Sequence, residues 1–209
     1  MKHVSALVNS ILAGILIGIG GVVYLSLDNK IFGATFFSIG LLAICTFGLN
    51  LFTGKVCYIF NNKPSYVPWT LLVWAGNFIG TWLAAICFRA TRISVIVEKA
   101  AALSAAKTGD SLLSLFILGI FCNILIFVSV DSYKNNPHAV GKYLILVLGV
   151  LVFILCGFEH CIADMFYFSL AGAWNAQTFL CIIVITLGNV VGGVLFPLGR
   201  LFQEKVTAK

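Results

Sequence analysis

Long apolar runs separated by short polar clusters make up most of the chain. The runs lie near residues 4–27, 31–60, 67–88, 111–130, 142–168 and 178–201. A helix needs about 20 apolar residues to cross the hydrocarbon layer of a membrane, so each run is long enough to be a span. The runs are continuous, whereas a β-barrel strand alternates apolar and polar positions. The pattern therefore predicts an all-α integral membrane protein with six transmembrane helices.

Composition excludes the other broad classes of protein. Of the 209 residues, 61% are hydrophobic and only 10% are charged. A soluble domain carries about a quarter charged residues, so this chain cannot build a solvated globular surface. The net charge of +6 is scattered through loops and forms no run, so nucleic acid is not an expected partner. The expected surroundings are a lipid bilayer.

The distribution of Lys and Arg indicates how the spans are oriented. Six spans place both termini on the same side of the membrane. With the termini inside, seven basic residues lie in cytoplasmic segments: Lys2, Lys63, Lys134, Lys142, Arg200, Lys205 and Lys209. Five lie in outer segments: Lys30, Arg89, Arg92, Lys99 and Lys107. Because cytoplasmic loops carry the excess of basic residues, we predict a multi-pass protein of the cytoplasmic membrane with both termini cytoplasmic.

The second and fifth runs are interrupted near their middles. They are about 30 and 27 residues long, too long for a simple crossing, and contain the polar segments Gly48–Lys55 and Gly157–Asp164. Irregular backbone at membrane depth is tolerated only where protein buries it or where it lines a cavity. Paired interruptions of this kind are typical of transport sites. We predict that each of these runs forms two half-helices joined by an unwound segment.

A short motif relates the two halves of the chain. Gly76-Asn77-Phe-Ile-Gly80 in the third run and Gly188-Asn189-Val-Val-Gly192 in the sixth share the pattern Gly-Asn-x-x-Gly. Each motif follows an interrupted run. A repeat unit of three spans must be inverted relative to the next, because three is odd. We predict one channel domain over residues 1–209, built as a 3+3 inverted repeat of approximately residues 1–90 and 110–203.

Three ionisable side chains lie within the apolar fifth run: Glu159, His160 and Asp164. Ionisable groups inside a membrane cost at least a few kcal/mol each and by default indicate a functional pathway. His160 and Asp164 are four residues apart, so on a helix they would share a face. Structural roles remain open for all three, as a histidine bonded to a neighbouring helix, a helix-capping aspartate and a glutamate paired with a loop amide.

The same segment offers little to a metal ion or an enzyme. His160, Cys161 and Asp164 provide three kinds of zinc ligand, but the spans of the first half contribute no histidine. No nucleophile motif accompanies His160, and the other histidines, His3 and His138, lie in a terminus and a loop. We expect no metal, no cofactor and no enzymatic activity.

Several short segments together carry a family resemblance. They are Leu51-Phe-Thr53-Gly54, Gly119-Ile-Phe-Cys-Asn123, Gly157-Phe-Glu-His160-Cys-Ile-Ala-Asp164-Met165 and the two Gly-Asn pairs. In this order they resemble the formate/nitrite transporter family over essentially the whole chain, and most of all its hydrosulfide-conducting branch. The resemblance implies an aquaporin-like fold and a homopentamer in which each protomer has its own pathway for small monovalent anions.

The resemblance also implies roles for individual residues. The centre of the pore would hold His160, Thr53, Glu159 and Asp164. The outer constriction would be formed by Leu51, Phe52, Ile126 and Phe153, and the inner one by Phe37, Leu41 and Ala163. Lys107 would lie in the outer vestibule, and the residues behind the pore wall would be Asn77, Asn123 and Asn189.

One position departs from the family pattern. The family usually has Asn where this chain has Asp164. An ionised carboxylate beside His160 would repel anions. Asp164 must therefore be protonated, point away from the pore or pair with a cation.

These features predict a channel or transporter for hydrosulfide, formate or nitrite in which His160 exchanges protons between two apolar constrictions. An anion enters apolar surroundings only if it is neutralised or paired, and the unperturbed pKa of histidine, about 6.5, lies near neutral pH. Lys107 and half-helix N-termini would attract the anion. Hydrosulfide is favoured because it is compact and its conjugate acid is weakly hydrated, which suits a bulky apolar constriction.

Two other functions remain open. An aquaporin-like channel for small neutral solutes would share the fold, but the Asn-Pro-Ala pair typical of aquaporins is absent from the sequence. A structural or assembly protein of the membrane would conduct nothing.

Overall fold

The protein is helical throughout the part of the chain that the structure describes. The computed structural model describes residues 2–207, so Lys209, one of the basic residues in the predicted charge bias, lies outside the described residues. The helices, in chain order, are α1 (Lys2–Ser26), α2 (Lys30–Phe37), α3 (Ile39–Thr46), α4 (Phe52–Lys55), α5 (Tyr66–Arg89), α6 (Ile96–Thr108), α7 (Leu112–Asn135), α8 (Ala139–Leu155), α9 (Cys161–Ala171) and α10 (Ala176–Thr207). A 3₁₀ helix, Val56–Asn61, continues α4.

Four helices, α1, α5, α7 and α10, are long and apolar enough to cross a membrane. They correspond to the first, third, fourth and sixth predicted runs. Each has exposed apolar side chains along its length, such as Leu71 on α5 and Leu187 on α10. Exposed apolar surface of this extent is expected where a protein meets lipid or another protein.

The second and fifth runs are broken, and each break is shorter than the polar segment in the sequence suggests. In the second run, helix stops at Thr46 and resumes at Phe52, and a further small break at Ser38 separates α2 from α3. In the fifth run, α8 ends at Leu155 and α9 begins at Cys161. Asp164 was predicted to belong to the unwound segment, but it lies in the first turn of α9. A carboxylate there is favourable because the helix N-terminus is positive.

A glycine in left-handed conformation marks the start of each break. Gly48 has φ of 65° and Gly157 has φ of 68°. This region is costly for any residue with a Cβ atom, so glycine lets the chain turn directly out of the preceding helix. Both glycines come two residues before a buried polar residue, Asn50 in the first break and Glu159 in the second. The two breaks therefore have the same local design.

The outer glycines of the two Gly-Asn-x-x-Gly motifs bring pairs of long helices into backbone contact. A Cβ atom on Gly80 would lie 2.1 Å from the carbonyl oxygen of Ile11, so α5 lies directly against α1. A Cβ on Gly192 would lie 2.0 Å from the carbonyl oxygen of Ile120, so α10 lies against α7 in the same way. Small residues are what allow membrane helices to approach this closely.

We predict that Gly192→Ala lowers the free energy of unfolding by about 1–3 kcal/mol, because the new methyl group displaces α7. The measurement is the melting temperature of the purified protein in detergent, which should fall. Gly199→Ala is the matched control on the same helix, since a Cβ there meets none of the described atoms within 4 Å. In an open helical position alanine is favoured over glycine, so the control should be neutral or slightly stabilising. Equal melting temperatures for the two variants would contradict the close-packing argument.

Candidate functional site

Asn77 on α5 holds the first break in place. Its Oδ1 accepts the backbone N–H of Phe52 at 2.8 Å, the first residue of α4. Its Nδ2 donates to the carbonyl of Asn50 at 2.8 Å and to the carbonyl of Ser10 on α1 at 2.7 Å. Asn77 is fully buried. Backbone groups that have no helical partner at membrane depth are therefore satisfied by one side-chain amide.

Asn189 on α10 does the same for the second break. Its Oδ1 accepts the N–H of Cys161 at 3.0 Å, the first residue of α9. Its Nδ2 donates to the carbonyls of Glu159 and of Gly119 on α7, both at 2.8 Å. Position by position, Asn189 repeats the bonds of Asn77. The central residue of each Gly-Asn-x-x-Gly motif thus supports a break, and the flanking glycines pack the helix that carries it.

Asn123 on α7 supports this arrangement from behind. Its Nδ2 donates to the backbone carbonyl of Asn189 at 2.6 Å. Its Oδ1 is buried without a hydrogen-bond donor among the described residues. Asn123 therefore contacts the residue that holds the second break and not the break itself.

His160 and Thr53 join the two breaks through a side-chain hydrogen bond. Nε2 of His160 lies 2.8 Å from Oγ1 of Thr53. Nδ1 of His160 accepts the backbone N–H of Ala163 at 3.1 Å, so the imidazole caps the N-terminus of α9. A backbone N–H can only donate, so Nδ1 carries no proton and the neutral ring carries its proton on Nε2. The structural role left open for His160, a hydrogen bond to a neighbouring helix, is therefore present, and the helix cap that the sequence analysis left open for Asp164 is provided by His160.

Two cavities lie next to this bond. The larger cavity, of about 300 Å³, opens on the side of His160. Phe153 stacks on His160 with ring centroids 5.8 Å apart, and Phe37 meets the edge of Phe153 at 6.2 Å. Ala163 and Lys107 also belong to the lining. The larger cavity therefore combines apolar aromatic rings beside His160 with charged side chains.

A second, smaller cavity of about 80 Å³ lies beyond the other break. It is lined by Leu41 and Leu51, and also by Gly54, which follows Thr53 directly in the chain. The basic residues of its lining are Lys55 and Lys134. The His160–Thr53 bond therefore lies between two cavities, each of which contains at least one lysine.

The residues predicted to form the two constrictions are distributed over the linings of both cavities. Phe37 and Ala163, assigned to the inner constriction with Leu41, line the larger cavity with Phe153. Leu51, assigned to the outer constriction with Phe153, lines the smaller cavity with Leu41. The reason is the packing of α2 against α8, which brings the end of α2 to the end of α8.

Two further residues of the predicted outer constriction, Phe52 and Ile126, are almost fully buried. Phe52 begins α4 and Ile126 lies on α7. Neither belongs to the lining of either cavity. Both side chains are therefore packed among the helices and do not form the surface of either cavity.

Lys107, Glu159 and Asp164 form one buried ionic cluster. The Lys107 ammonium forms a salt bridge with Oε2 of Glu159 and another, at 2.9 Å, with Oδ1 of Asp164. The lysine side chain is only 12% exposed, and Lys107 lies in the lining of the larger cavity. Burial by itself lowers the pKa of Lys107, but Asp164 and Glu159 raise it by more, and the pKa lies above its ordinary value. The ammonium is a permanent positive charge.

Sequence reasoning missed part of this site. Lys55 and Lys134 were assigned no role in the pore, and Tyr24 and Tyr167 in the larger cavity were not noticed. A signal for Lys55 was present, because a charged residue inside an apolar run indicates a pathway by the same rule that singled out Glu159. Nothing in the sequence pattern distinguishes the two tyrosines from ordinary core residues.

Interrupted helices that meet at a polar bond between two cavities are typical of membrane transport proteins. The family model described as formate/nitrite transporter matches residues 1–202. The chain therefore belongs to the formate/nitrite transporter family, and the resemblance found in the sequence is confirmed at the level of the family.

Individual relatives agree with this assignment. The chain is 28% identical to the nitrite transporter NirC of Escherichia coli (strain K12) over 214 residues, covering 90% of this chain and 79% of that protein. It is 26% identical to the formate channel FocA of Haemophilus influenzae over 202 residues, covering 80% of this chain and 71% of that one.

Solved structures share the fold. One, described as a pentameric formate channel with formate bound, has a TM-score of 0.79 at 26% identity and covers 100% of this chain and 98% of that chain. Another, described as an FNT family ion channel, has a TM-score of 0.84 at 23% identity, with 96% and 90% of the two chains covered. The second likeness bears on the fold alone.

We predict that Asn189→Ala destabilises the protein by about 2 kcal/mol or more, because it leaves the buried Cys161 N–H and Glu159 carbonyl without partners. The measurement is thermal unfolding in detergent. The control is Asn62→Ala, at an exposed asparagine whose side chain bonds only the nearby Tyr58 carbonyl. Unfolding of Asn189→Ala at the wild-type temperature would show that the break is held by other contacts.

Proposed function

We propose that the protein is a channel for small monovalent anions, in which each protomer of a homopentamer carries its own pathway through the two cavities. The observation that carries the proposal is the His160–Thr53 hydrogen bond between two cavities that both contain lysine. A neutral-solute pore has no need of lysine side chains on both sides of its centre. The relatives described as a nitrite transporter and a formate channel support anions as the substrate class.

The proposed architecture is six spans in a 3+3 inverted repeat, with the interrupted runs as the second and fifth spans. The matching bonds of Asn77 and Asn189 support it. The first half reaches its break on the side of the smaller cavity, at Gly48, and the second half reaches its break on the side of the larger cavity, at Gly157. Opposite directions are what an inverted repeat requires. We propose the cytoplasmic membrane as the location, with both termini cytoplasmic, following the bias of basic residues.

Homopentamer formation is supported by the solved relative described as pentameric. The exposed apolar side chains of the long helices exceed what a water-soluble surface would present. Neighbouring protomers and lipid would share this surface, as in other membrane oligomers.

The mechanism we propose starts with attraction of the anion by Lys107 in the larger cavity and by Lys55 and Lys134 in the smaller one. The positive N-terminus of α9, whose N-cap is His160, adds to this attraction. The rings of Phe37 and Phe153 then exclude water, so a bare anion meets a steep desolvation cost at the centre. A weak-acid anion lowers that cost by taking a proton. For this step His160 first takes a proton from solvent on Nδ1, which releases the Ala163 N–H, and the imidazolium then passes its Nε2 proton to the anion through the hydroxyl of Thr53, which leaves a neutral ring.

Among the candidate anions, formate and nitrite are supported by the relatives and hydrosulfide by the chemistry of the wall. The wall beside His160 consists of Phe37, Phe153 and Ala163, and none of these side chains offers a hydrogen bond. The conjugate acid of hydrosulfide sheds the weakest hydrogen bonds to water before entering such a space. We therefore propose hydrosulfide as the preferred anion, with formate and nitrite also conducted.

The test is anion flux into proteoliposomes over a range of pH, with hydrosulfide, formate and nitrite at equal concentration in one preparation. Uptake of all three, with hydrosulfide fastest at neutral pH, is the expected result. Faster formate or nitrite permeation throughout the neutral range would overturn the substrate preference and leave the anion channel standing. Glycerol swelling without anion flux would replace the proposal with a neutral-solute channel.

We predict that His160→Phe removes the dependence of flux on pH that the central proton exchange produces. Phenylalanine fills the same space but has no titratable group. The matched control is His138→Phe, at an exposed position outside the cavities. Flux is measured in proteoliposomes, and a size-exclusion peak at the wild-type volume establishes folding. A variant with the wild-type pH profile would rule out His160 as the exchanging group.

We predict that Lys107→Ala lowers anion flux by about tenfold or more, with little dependence on salt, because a buried charge is screened weakly. Lys99→Ala is the control on the same helix. Lys99 is 48% exposed and pairs with the exposed Asp28. A loss of flux that disappears at high salt, or an equal loss in both variants, would contradict a role for Lys107 inside the cavity.

A further inference from the structure

The ionic cluster in the lining of the larger cavity has one positive charge and two carboxylates. Lys107 contacts both Glu159 and Asp164, and the salt bridges of residues 2–207 provide the pair with no second cation. With Asn at position 164, as in the family pattern, the charges of Lys107 and Glu159 would cancel. Asp164 adds a further acid, so the cluster has a net charge of −1 when both carboxyl groups are ionised.

Burial makes that excess charge costly. The side chains of Glu159 and Asp164 are 8% and 2% exposed. Two carboxylates that share a poorly solvated site do not both ionise readily, because they repel each other and each loses its hydration. Tyrosine and cysteine side chains have no cationic form, so the remaining titratable side chains around Asp164 cannot compensate: Tyr24, Tyr167, Cys122, Cys161 and Cys181. His160 does not compensate in the arrangement that the structure shows, since its Nδ1 accepts the Ala163 N–H and the ring is neutral.

A second, independent observation identifies where a proton is missing. Oδ2 of Asp164 is buried and has no hydrogen-bond donor among the described residues. The carboxylates of Asp164 and Glu159 both contact the Lys107 ammonium, so they lie close together, and as carboxylates they offer each other only acceptors. A single proton on either acid would satisfy both groups at once and make the cluster neutral.

We propose that Glu159 and Asp164 share one exchangeable proton beside Lys107, and that loss of this proton closes the larger cavity to anions. This inference rests on the proposed anion channel and adds a second proton-binding site to it, separate from His160. With the proton bound, the cluster is neutral and Lys107 can attract an anion. Without it, the cavity that the anion must enter is net negative.

The decisive experiment compares wild-type protein with Asp164→Asn, which is isosteric and cannot ionise. Formate flux is measured in proteoliposomes from mildly acidic to mildly alkaline pH, and the ratio of wild type to variant is taken at each pH. The ratio removes the effects of His160 and of formate ionisation, which both proteins share. We expect the ratio to be near one at acidic pH and to fall roughly tenfold or more at alkaline pH. A ratio that is constant with pH would overturn the proposal.

Asp110→Asn is the control for a general change of charge. Asp110 also lines the larger cavity but is exposed and contacts no cluster residue among the described salt bridges. Its ratio to wild type should not vary with pH. A matching alkaline effect in Asp110→Asn would assign the effect to the cavity's total charge and overturn the assignment to Asp164.

Infrared difference spectroscopy tests the proton without any transport. At neutral pH the wild-type protein should show the carbonyl stretch of a protonated carboxyl group, and both Asp164→Asn and Glu159→Gln should lose it. Absence of the band from wild type overturns the proposal. If no variant conducts anions but the band follows this pattern, the proton site stands and the anion channel is the part that fails.

Discussion

The structure depends on satisfying backbone polar groups where two helices are interrupted inside an apolar chain. Without water, each free N–H or carbonyl costs several kcal/mol, so an unsupported break would not persist. Asn77 and Asn189 remove this cost with the same set of bonds, and close glycine contacts fix the helices that carry them. The central hydrogen bond joins Thr53 and His160, which lie on the two segments that these asparagines hold in place.

The two breaks share a scaffold and differ in chemistry. Counting from the left-handed glycine, Asn50 and Leu51 in the first break correspond to Glu159 and His160 in the second. The first break therefore contributes an apolar wall and the Thr53 hydroxyl, and the second contributes the titratable groups. Duplicated geometry with unlike side chains therefore places the ionisable groups of the centre on the second break alone.

The sequence contained the information for the long helices, the interruptions and the supporting asparagines, because hydropathy and glycine placement are local properties. It did not contain the pairing of constriction residues. Phe37 and Phe153 are far apart in the chain and meet only because α2 packs against α8. The burial of Lys107 was hidden for the same reason: α6 has the composition of a solvated helix, and only tertiary contact with Glu159 and Asp164 draws its lysine inward.

The backbone contacts at Gly80 and Gly192 have a mechanical consequence. Helices that touch through glycine cannot slide past each other without separating, so α1 with α5 and α7 with α10 form two stiff pairs. Any sliding within a pair would also have to break the asparagine bonds that join it to its interrupted helix, since Asn77 bonds Ser10 and Phe52 in the first half and Asn189 bonds Gly119 and Cys161 in the second. Each half is therefore braced internally, and its interrupted segment moves only together with the two long helices that hold it.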